Sequence, residues 1–211
     1  MKRVINLDNW NRKEHFKFFS ALDDPFWGIT TTVDFTSIYQ QSKNMEVSFF
    51  LYSVHFLLKC INATTAFKLR IENGEVVEYD KINISPTIGR EDGTFGFGFF
   101  EYDTDLSLFI ENAEKEIHRV KNSTGLSFSK DTARADVIRY SALPWFAFSE
   151  MKHAGSIQTG DSIPKISTGK LIQEKKKLLL PISISVHHGL ADGRNVAQFI
   201  QNVKDGQNNT L

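Results

Sequence analysis

Hydrophobic and polar positions near the carboxyl terminus form the clearest structural pattern in this chain. Residues 177–186, KLLLPISISV, make an apolar run typical of a buried strand. Beyond residue 192 the apolar positions recur at helical spacing, as Val196, Phe199, Ile200 and Val203. The sequence HHGLADG at 187–193 therefore forms a turn between a strand and a helix. Because neighbouring strand side chains point to opposite faces, only one of His187 and His188 can face a given cleft.

The rest of the chain also alternates between strand and helix patterns. Strands are predicted around residues 29–35, 67–71, 76–79, 95–99 and 137–141, and helices over 10–20, 50–58 and 105–120. Asn73-Gly74 predicts a tight hairpin turn between the second and third of these strands. We therefore predict an α/β fold, a two-layer sandwich of one mixed β-sheet with helices packed on it. The prediction is a single domain over residues 1–211, with a frayed polar tail over 205–211.

Composition limits the possible partners. The chain has 211 residues, with 25 basic and 25 acidic side chains, and no dense basic block. Neither nucleic acid nor a membrane is therefore expected as a partner. The charged amino terminus does not resemble a secretory signal, and the longest apolar run, residues 49–60, is too short to span a bilayer. Cys60 is the single cysteine, which rules out an intrachain disulfide, and a cytoplasmic protein is expected.

Three separated segments resemble a known family, the CoA-dependent acyltransferases of chloramphenicol acetyltransferase type. HHGLADG at 187–193 matches the signature HHxxxDG, which the catalytic cores of dihydrolipoyl acyltransferases share. NWNRKEHF at 9–16 resembles the family's NWxRxEHF, and SALPW at 141–145 resembles its SALPW or SANPW segment. The resemblance implies the fold of chloramphenicol acetyltransferase, acetyl-CoA as co-substrate, no metal, and a homotrimer with active sites at subunit interfaces.

The resemblance also assigns roles to residues near the reaction. Transfer of acetyl from a thioester to a hydroxyl needs a base for the hydroxyl proton and donors for the developing oxyanion. His188 matches the family's general base, whose second ring nitrogen is bound by its own backbone carbonyl. Asp192 and Arg12 match an ion pair that supports the turn. Ser141 matches the serine that stabilises the oxyanion, although by itself it reads as an ordinary strand residue.

Two further residues match positions with supporting roles. Ser167 replaces a threonine that helps to hold a water near the oxyanion, and the hydroxyl is retained. Lys170 matches a lysine near the CoA phosphate, where an ammonium could act as a point charge. The sequence departs from the family beside it, because Leu171 follows where a tyrosine is common. Ser48 also stands where the family has a second lysine.

The acceptor pocket matches the family less closely. Phe18, Phe95 and Phe128 fall on aromatic positions that line the chloramphenicol site, although the residues alone are equally compatible with a plain core. Three other wall positions differ from the family and are occupied by His153, Met151 and Arg139. Unpaired imidazole or guanidinium groups would disfavour a purely apolar ligand, because leaving them without hydrogen bonds costs free energy.

The sequence predicts an O-acetyltransferase that moves acetyl from acetyl-CoA to chloramphenicol or a similar acceptor, by direct attack in a ternary complex. Three alternatives remain. One is the same chemistry on a different hydroxylated acceptor, for which His153 and Arg139 are the cues. Another is a dihydrolipoyl acyltransferase core, although no lipoyl domain or linker is present. The last is a non-catalytic trimer that binds acyl-CoA or a drug.

Overall fold

The structure is a computed structural model that describes residues 1–155 and 160–208. Its helices are α1 (Lys13–Ser20), α2 (Thr36–Asn44), α3 (Phe49–Asn62), α4 (Leu106–Lys121) and α5 (Gly193–Asn208). Its strands are β1 (Lys2–Val4), β2 (Phe26–Asp34), β3 (Leu69–Glu72), β4 (Glu75–Tyr79), β5 (Asn83–Gly89), β6 (Phe95–Phe97), β7 (Val137–Ala142), β8 (Lys165–Thr168), β9 (Ile172–Glu174) and β10 (Lys177–His187).

Seven strands form one mixed sheet, which confirms the predicted fold class. Its order is β2-β10-β8-β7-β5-β6, and β9 pairs with one end of β10. The pairs β5–β7 and β7–β8 are parallel, and the others are antiparallel. Because β7, β8 and β10 are neighbours in this sheet, polar residues that are distant in sequence lie side by side on one face.

A second, three-stranded sheet differs from the prediction of a single sheet. Its order is β1-β4-β3. Asn73 and Gly74 join β3 to β4 with φ angles of 51° and 80°, so the hairpin predicted from this dipeptide is present. The hairpin pairs with β1 from the amino terminus instead of extending the large sheet.

The large sheet has one apolar face and one polar face. In β10, Ile182, Ile184 and Val186 are buried in the main hydrophobic core together with residues of α3, α4 and α5. The serines that alternate with them, Ser183 and Ser185, point to the opposite face. Helices therefore pack on the apolar face, and the other face is free to carry polar chemistry.

Arg70 ties the small sheet to the large one. Its side chain is fully buried, and its three nitrogens donate to four backbone carbonyls. Two of these acceptors lie beside it, in Phe67 and Leu69. The other two, in Ala135 (2.7 Å) and Val137 (2.5 Å), belong to β7 and the residues before it. Burial lowers the pKa of Arg70 to about 10, so the guanidinium remains charged at neutral pH.

The carboxyl-terminal prediction needs a correction. The predicted frayed tail is helical from 205 to 208 as the last turn of α5, and residues 209–211 lie outside the described part of the chain. Gln207 is buried and accepts a hydrogen bond from Ser37 at 3.3 Å, which explains why a polar sequence continues the helix. Across the described ranges, no helix is long and apolar enough to cross a membrane.

Candidate active site

The turn after β10 presents the two histidines in different environments. The amides of Leu190 and Ala191 both donate to the carbonyl of His187, at 2.9 and 3.0 Å, which closes the turn. A Cβ at Gly189 would lie 3.0 Å from the His187 ring and 3.2 Å from the Phe16 backbone. A side chain at position 189 would therefore force the His187 ring or the Phe16 backbone to shift by a few tenths of an ångström.

An ion pair from the amino-terminal segment holds the turn. Arg12 Nη1 donates to Asp192 Oδ2 at 2.5 Å, and Arg12 Nη2 donates to the carbonyl of His188 at 3.1 Å. Asp192 also accepts from the amides of Arg194 and Asn195, and so caps α5. Burial opposes ionisation of Asp192, but the hydrogen bonds from Arg12 and these amides outweigh it and lower the Asp192 pKa. We call Arg12, His188 and Asp192 the turn half-site.

Aromatic rings fix the orientation of the His188 side chain. Its imidazole stacks on Phe19, with ring centroids 3.9 Å apart and an interplanar angle of 17°. Trp27 packs on it at 5.4 Å and is itself held by a 2.9 Å hydrogen bond from Nε1 to the carbonyl of Ala191. His188 Nδ1 is buried and has no hydrogen-bond partner on any other described residue. The contact with its own carbonyl therefore stays a prediction.

His187 turns away from this group, as the strand alternation predicts. Its Nδ1 accepts a hydrogen bond from the Gly189 amide at 3.1 Å, so the lone pair is already used inside the turn. Burial, reinforced by His188, lowers the pKa of His187 to about 4 despite the nearby Asp161 carboxylate. His187 is therefore neutral at physiological pH and has a structural position in the turn.

Hydroxyl side chains form a row across the polar face of the sheet. Ser141 on β7 is paired with Ser167 on β8, and Ser167 is paired with Ser183 on β10. Thr87 on β5 extends the row, because its hydroxyl lies 3.3 Å from the Ser141 hydroxyl. Ser167 is fully buried, whereas Ser141 is half-buried and can meet a ligand.

His153 contacts this row directly. Its Nε2 lies 3.0 Å from Ser167 Oγ. Burial, together with the nearby Lys165 ammonium, lowers the pKa of His153 and favours the neutral ring. We call Ser141, Ser167 and His153 the sheet half-site.

Arg139, predicted to lie in the acceptor wall, has a carboxylate partner. Its Nη1 lies 3.2 Å from Asp161 Oδ2, and Lys165 Nζ lies 3.3 Å from the same oxygen. Lys165 is buried and also lies 3.9 Å from the centre of the Phe26 ring. The guanidinium of Arg139 therefore shares an intrachain carboxylate with Lys165 instead of facing an acceptor unpaired.

A cavity of about 710 Å³ lies beside these groups. Its lining includes Met151 and His153, both predicted for the acceptor wall, together with His187, Lys165 and Ser183. A volume of this size is large enough for a small-molecule ligand. The cavity connects the polar face of the sheet with the base of the turn.

The three predicted acceptor-site phenylalanines are exposed. Phe18, Phe95 and Phe128 have exposed fractions of 63%, 48% and 71%, so none of them is a core residue. Phe97 contacts both Phe95 and Phe128, at centroid distances of 5.7 and 5.5 Å. Phe18 instead packs on Phe19, the ring that stacks on His188. The three phenylalanines predicted for the acceptor pocket therefore form two separate groups in one chain, Phe95 with Phe128 and Phe18 alone beside the turn half-site.

The two half-sites are well separated within one chain. His188 lies five positions after Ser183, the residue in register with Ser167 and Ser141. At the rise of an extended strand, this offset alone is about 16 Å. His188 and Ser141 of one chain therefore cannot act on the same carbonyl.

Lys170, the predicted phosphate contact, is exposed next to two exposed aromatic residues. Its amide donates to the Phe146 carbonyl at 2.9 Å, and Trp145 and Phe146 are 73% and 53% exposed. Within residues 1–155 and 160–208, no group of three or more His, Cys, Asp or Glu side chains could hold a metal ion.

Several contacts in the site were not predicted from the sequence. Phe19 and Trp27 orient His188, Thr87 adjoins Ser141, and Asp161 binds both Arg139 and Lys165. The sequence did offer a signal for Phe19, because it directly follows Phe18, which was predicted to line the acceptor pocket. The others depend on strand register and loop placement, which no local pattern specifies.

Comparisons with known proteins match one family over nearly the whole chain. A family model described as chloramphenicol acetyltransferase matches residues 2–204. Chloramphenicol acetyltransferase 3 of Escherichia coli is 27% identical over 208 residues, covering 98% of this chain and 97% of that protein. A solved chloramphenicol acetyltransferase superposes with a TM-score of 0.89 at 29% identity, over 98% of this chain and 99% of the other.

A more distant solved structure shares the fold alone. The probable dihydrolipoamide acetyltransferase of Listeria monocytogenes superposes with a TM-score of 0.69 at 13% identity. The match covers 99% of this chain and 94% of that one.

Proposed function

The chain belongs to the chloramphenicol acetyltransferase family, and on that basis we propose that it transfers acetyl from acetyl-CoA to a hydroxyl of chloramphenicol or a similar acceptor. The observation that carries the proposal is the turn half-site. Arg12 binds both the carboxylate of Asp192 and the carbonyl of His188, so one guanidinium fixes the motif that would present the base. A merely structural turn would not need its histidine ring stacked on Phe19 and packed against Trp27.

Each half-site has a separate role in the proposed reaction. His188 takes the proton of the acceptor hydroxyl as its oxygen attacks the thioester carbonyl. The Ser141 hydroxyl donates to the oxyanion that forms, where charge develops and a fixed donor has most effect. Collapse of the tetrahedral intermediate breaks the carbon–sulfur bond, and the leaving thiolate takes the proton from His188. Acetylated acceptor and CoA thiol are the products.

Lys170 is proposed to contact the CoA phosphates. Its side chain is exposed, and the exposed rings of Trp145 and Phe146 beside it offer an apolar surface for the rest of the co-substrate. An ammonium at this place acts as a point charge on phosphate and makes no fixed fork of hydrogen bonds. Dependence on acetyl-CoA, a metabolite of the cytoplasm, is the basis for proposing a cytoplasmic location.

We propose that the enzyme is a homotrimer in which His188 of one chain faces the sheet half-site of the next. The offset of about 16 Å along β10 supports this, because one chain cannot bring both halves to one carbonyl. The exposed rings of Phe18, Phe95 and Phe128 supply apolar surface for such an interface. A head-to-tail contact that closes after three chains gives a ring.

The acceptor is proposed to be partly aromatic, with chloramphenicol accepted as a weak-binding substrate. Phe95 and Phe128 favour a flat ring, whereas His153 places a polar side chain in the wall. That misfit should weaken ground-state and transition-state binding alike, and so raise KM more than it lowers kcat. His153 is also the observation that favours the second candidate function, acetyl transfer to a more polar hydroxylated acceptor. Acetylation of chloramphenicol would make this an antibiotic-resistance enzyme.

Release of CoA thiol from acetyl-CoA tests the proposal. The assay compares chloramphenicol with a panel of other hydroxylated compounds, using wild type and His153→Leu. We expect acceptor-dependent thiol release, with a lower KM for chloramphenicol in the variant. Release with another compound but not with chloramphenicol would move the proposal to that acceptor class. If the protein binds acetyl-CoA but releases no CoA thiol with any compound, the result would support a non-catalytic protein that binds acyl-CoA or a drug.

A further inference from the structure

The contact between His153 and Ser167 gives the imidazole a role inside the sheet half-site. Ser167 is fully buried, and its hydroxyl lies on the same face of the sheet as Ser141, one strand away. The Tyr140 side chain points to the other face and pairs with Thr168 there at 2.6 Å, so neither group competes for Ser167. His153 Nε2, at 3.0 Å, is the partner that the structure gives to Ser167 Oγ.

The direction of this hydrogen bond decides what Ser167 can donate to. A serine hydroxyl has one proton and two acceptor lone pairs. If His153 Nε2 carries a proton, Ser167 accepts from it and keeps its own proton for the Ser141 side of the row. If Nε2 carries the lone pair, the Ser167 proton is used on the imidazole and the row loses a donor.

Burial and the net positive charge of the surrounding groups leave His153 neutral. Lys165, two positions before Ser167 on the same face of β8, shares Asp161 with Arg139 of β7. His187 on β10 is neutral, as described above. In the segment that carries His153, Glu150 and Lys152 are exposed at the cavity. No described carboxylate contacts the imidazole, so Ser167 is its hydrogen-bonding partner.

We propose that His153 is a positioning residue for acetyl transfer, which donates from Nε2 to Ser167 and so directs the Ser167 proton along the row toward Ser141 and the oxyanion. This inference rests on the proposed function, and it gives His153 a role in turnover beyond shaping the acceptor wall. His153 acts through Ser167 and does not itself touch the reacting atoms.

A double-mutant cycle in kcat tests the proposal. The variants are His153→Leu, Ser167→Ala, the double variant, and His153→Gln, whose amide can donate from nearly the same position. Lys204→Gln is the control, because this exposed lysine of α5 does not line the cavity and lies outside the row, so its kcat should be unchanged. We expect His153→Leu and Ser167→Ala each to lower kcat about 5- to 10-fold, as the loss of one hydrogen bond would. The double variant should lose no more than Ser167→Ala alone.

Three measurements separate positioning from a general structural role. KM for acetyl-CoA and the melting temperature should be unchanged in His153→Leu, and His153→Gln should restore kcat to within about threefold. The ¹⁵N spectrum of the His153 ring should show Nε2 protonated in the wild type and should change in Ser167→Ala. Additive losses in kcat, an unaffected His153→Leu, or a lone pair on Nε2 would each overturn the inference while leaving the proposed function in place. A wild type that releases no CoA with any acceptor would overturn both.

Discussion

In the turn half-site, His188 is held by a guanidinium from the other end of the chain, whereas in the sheet half-site Ser141 is held by the register of its strand. The turn depends on individual side-chain contacts, from Arg12 to Asp192 and from Phe19 to the imidazole. The row depends on backbone pairing, which tolerates a changed side chain. Substitutions in the row should therefore remove chemistry cleanly, whereas substitutions in the turn should also affect stability.

The largest effect is expected for the proposed base. His188→Ala should lower kcat by 10² to 10⁴-fold or more, because general-base catalysis is lost, while acetyl-CoA still binds. His187→Ala should act mainly through a lower melting temperature, since its Nδ1 is used inside the turn. Steady-state kinetics and thermal unfolding of both variants test this. A folded but inactive His187 variant beside an active His188 variant would show that the roles are reversed.

Loss of the oxyanion donor should come next. Ser141→Ala should lower kcat on the order of 10²-fold with little change in either KM, because its hydrogen bond strengthens only as charge develops. Ser85→Ala is a suitable control. Ser85 lies on β5, on the same face of the sheet as Ser141, and it donates to the Gly98 carbonyl at 2.9 Å. Loss of its hydroxyl should therefore affect stability alone. Unchanged turnover in Ser141→Ala would remove this residue from the mechanism.

Mixing the two inactive variants should restore part of the activity. If each site takes His188 from one chain and Ser141 from the next, random trimers from equal amounts of both variants contain about one quarter intact sites. Co-expressed His188→Ala and Ser141→Ala chains should thus recover about a quarter of wild-type turnover, and light scattering should report about three chains. Lack of recovery in mixed trimers, or a fully active monomer, would contradict a site shared between chains.

The smallest effect is expected at the ion pair. The Asp192 pKa is lower in the folded protein than its usual value near 3.9, so the charged carboxylate stabilises the fold above that value. Asp192→Asn should lower the free energy of unfolding by about 1 to 2 kcal/mol at neutral pH, because the pair is only partly buried. Below the folded-state pKa, where wild-type Asp192 is protonated, this difference should disappear. Denaturant unfolding at several pH values measures it, and a constant difference down to acid pH would exclude the charge as its source.

The contiguous parts of the site were predictable from the sequence. The strand, the turn and α5 follow one another along the chain, so hydrophobic periodicity and glycine placement were sufficient to place His188 and Asp192. Asn73-Gly74 specified its hairpin for the same reason. The resemblance to the family then paired Asp192 with Arg12, which the structure brings into contact.

The rest depends on which strands become neighbours. Ser141, Ser167 and Ser183 are far apart in sequence and meet only because β7, β8 and β10 are adjacent in a common register. Asp161, in the loop before β8, contacts Arg139 of β7, so a guanidinium predicted for the acceptor wall is part of an ion pair within the chain. The polar tail after residue 204 was predicted wrongly because Ser37, the hydrogen-bonding partner of the buried Gln207, is far away in the sequence.

The buried Arg70 has a consequence for how the molecule opens. A guanidinium surrounded by four carbonyls cannot be released one hydrogen bond at a time, since each partial opening leaves a buried charge less well paired. The hairpin of β3 and β4 should therefore separate from β7 only when the large sheet also unfolds. Its amide hydrogens should then exchange with solvent as slowly as those of β7, although a small peripheral sheet would ordinarily exchange faster.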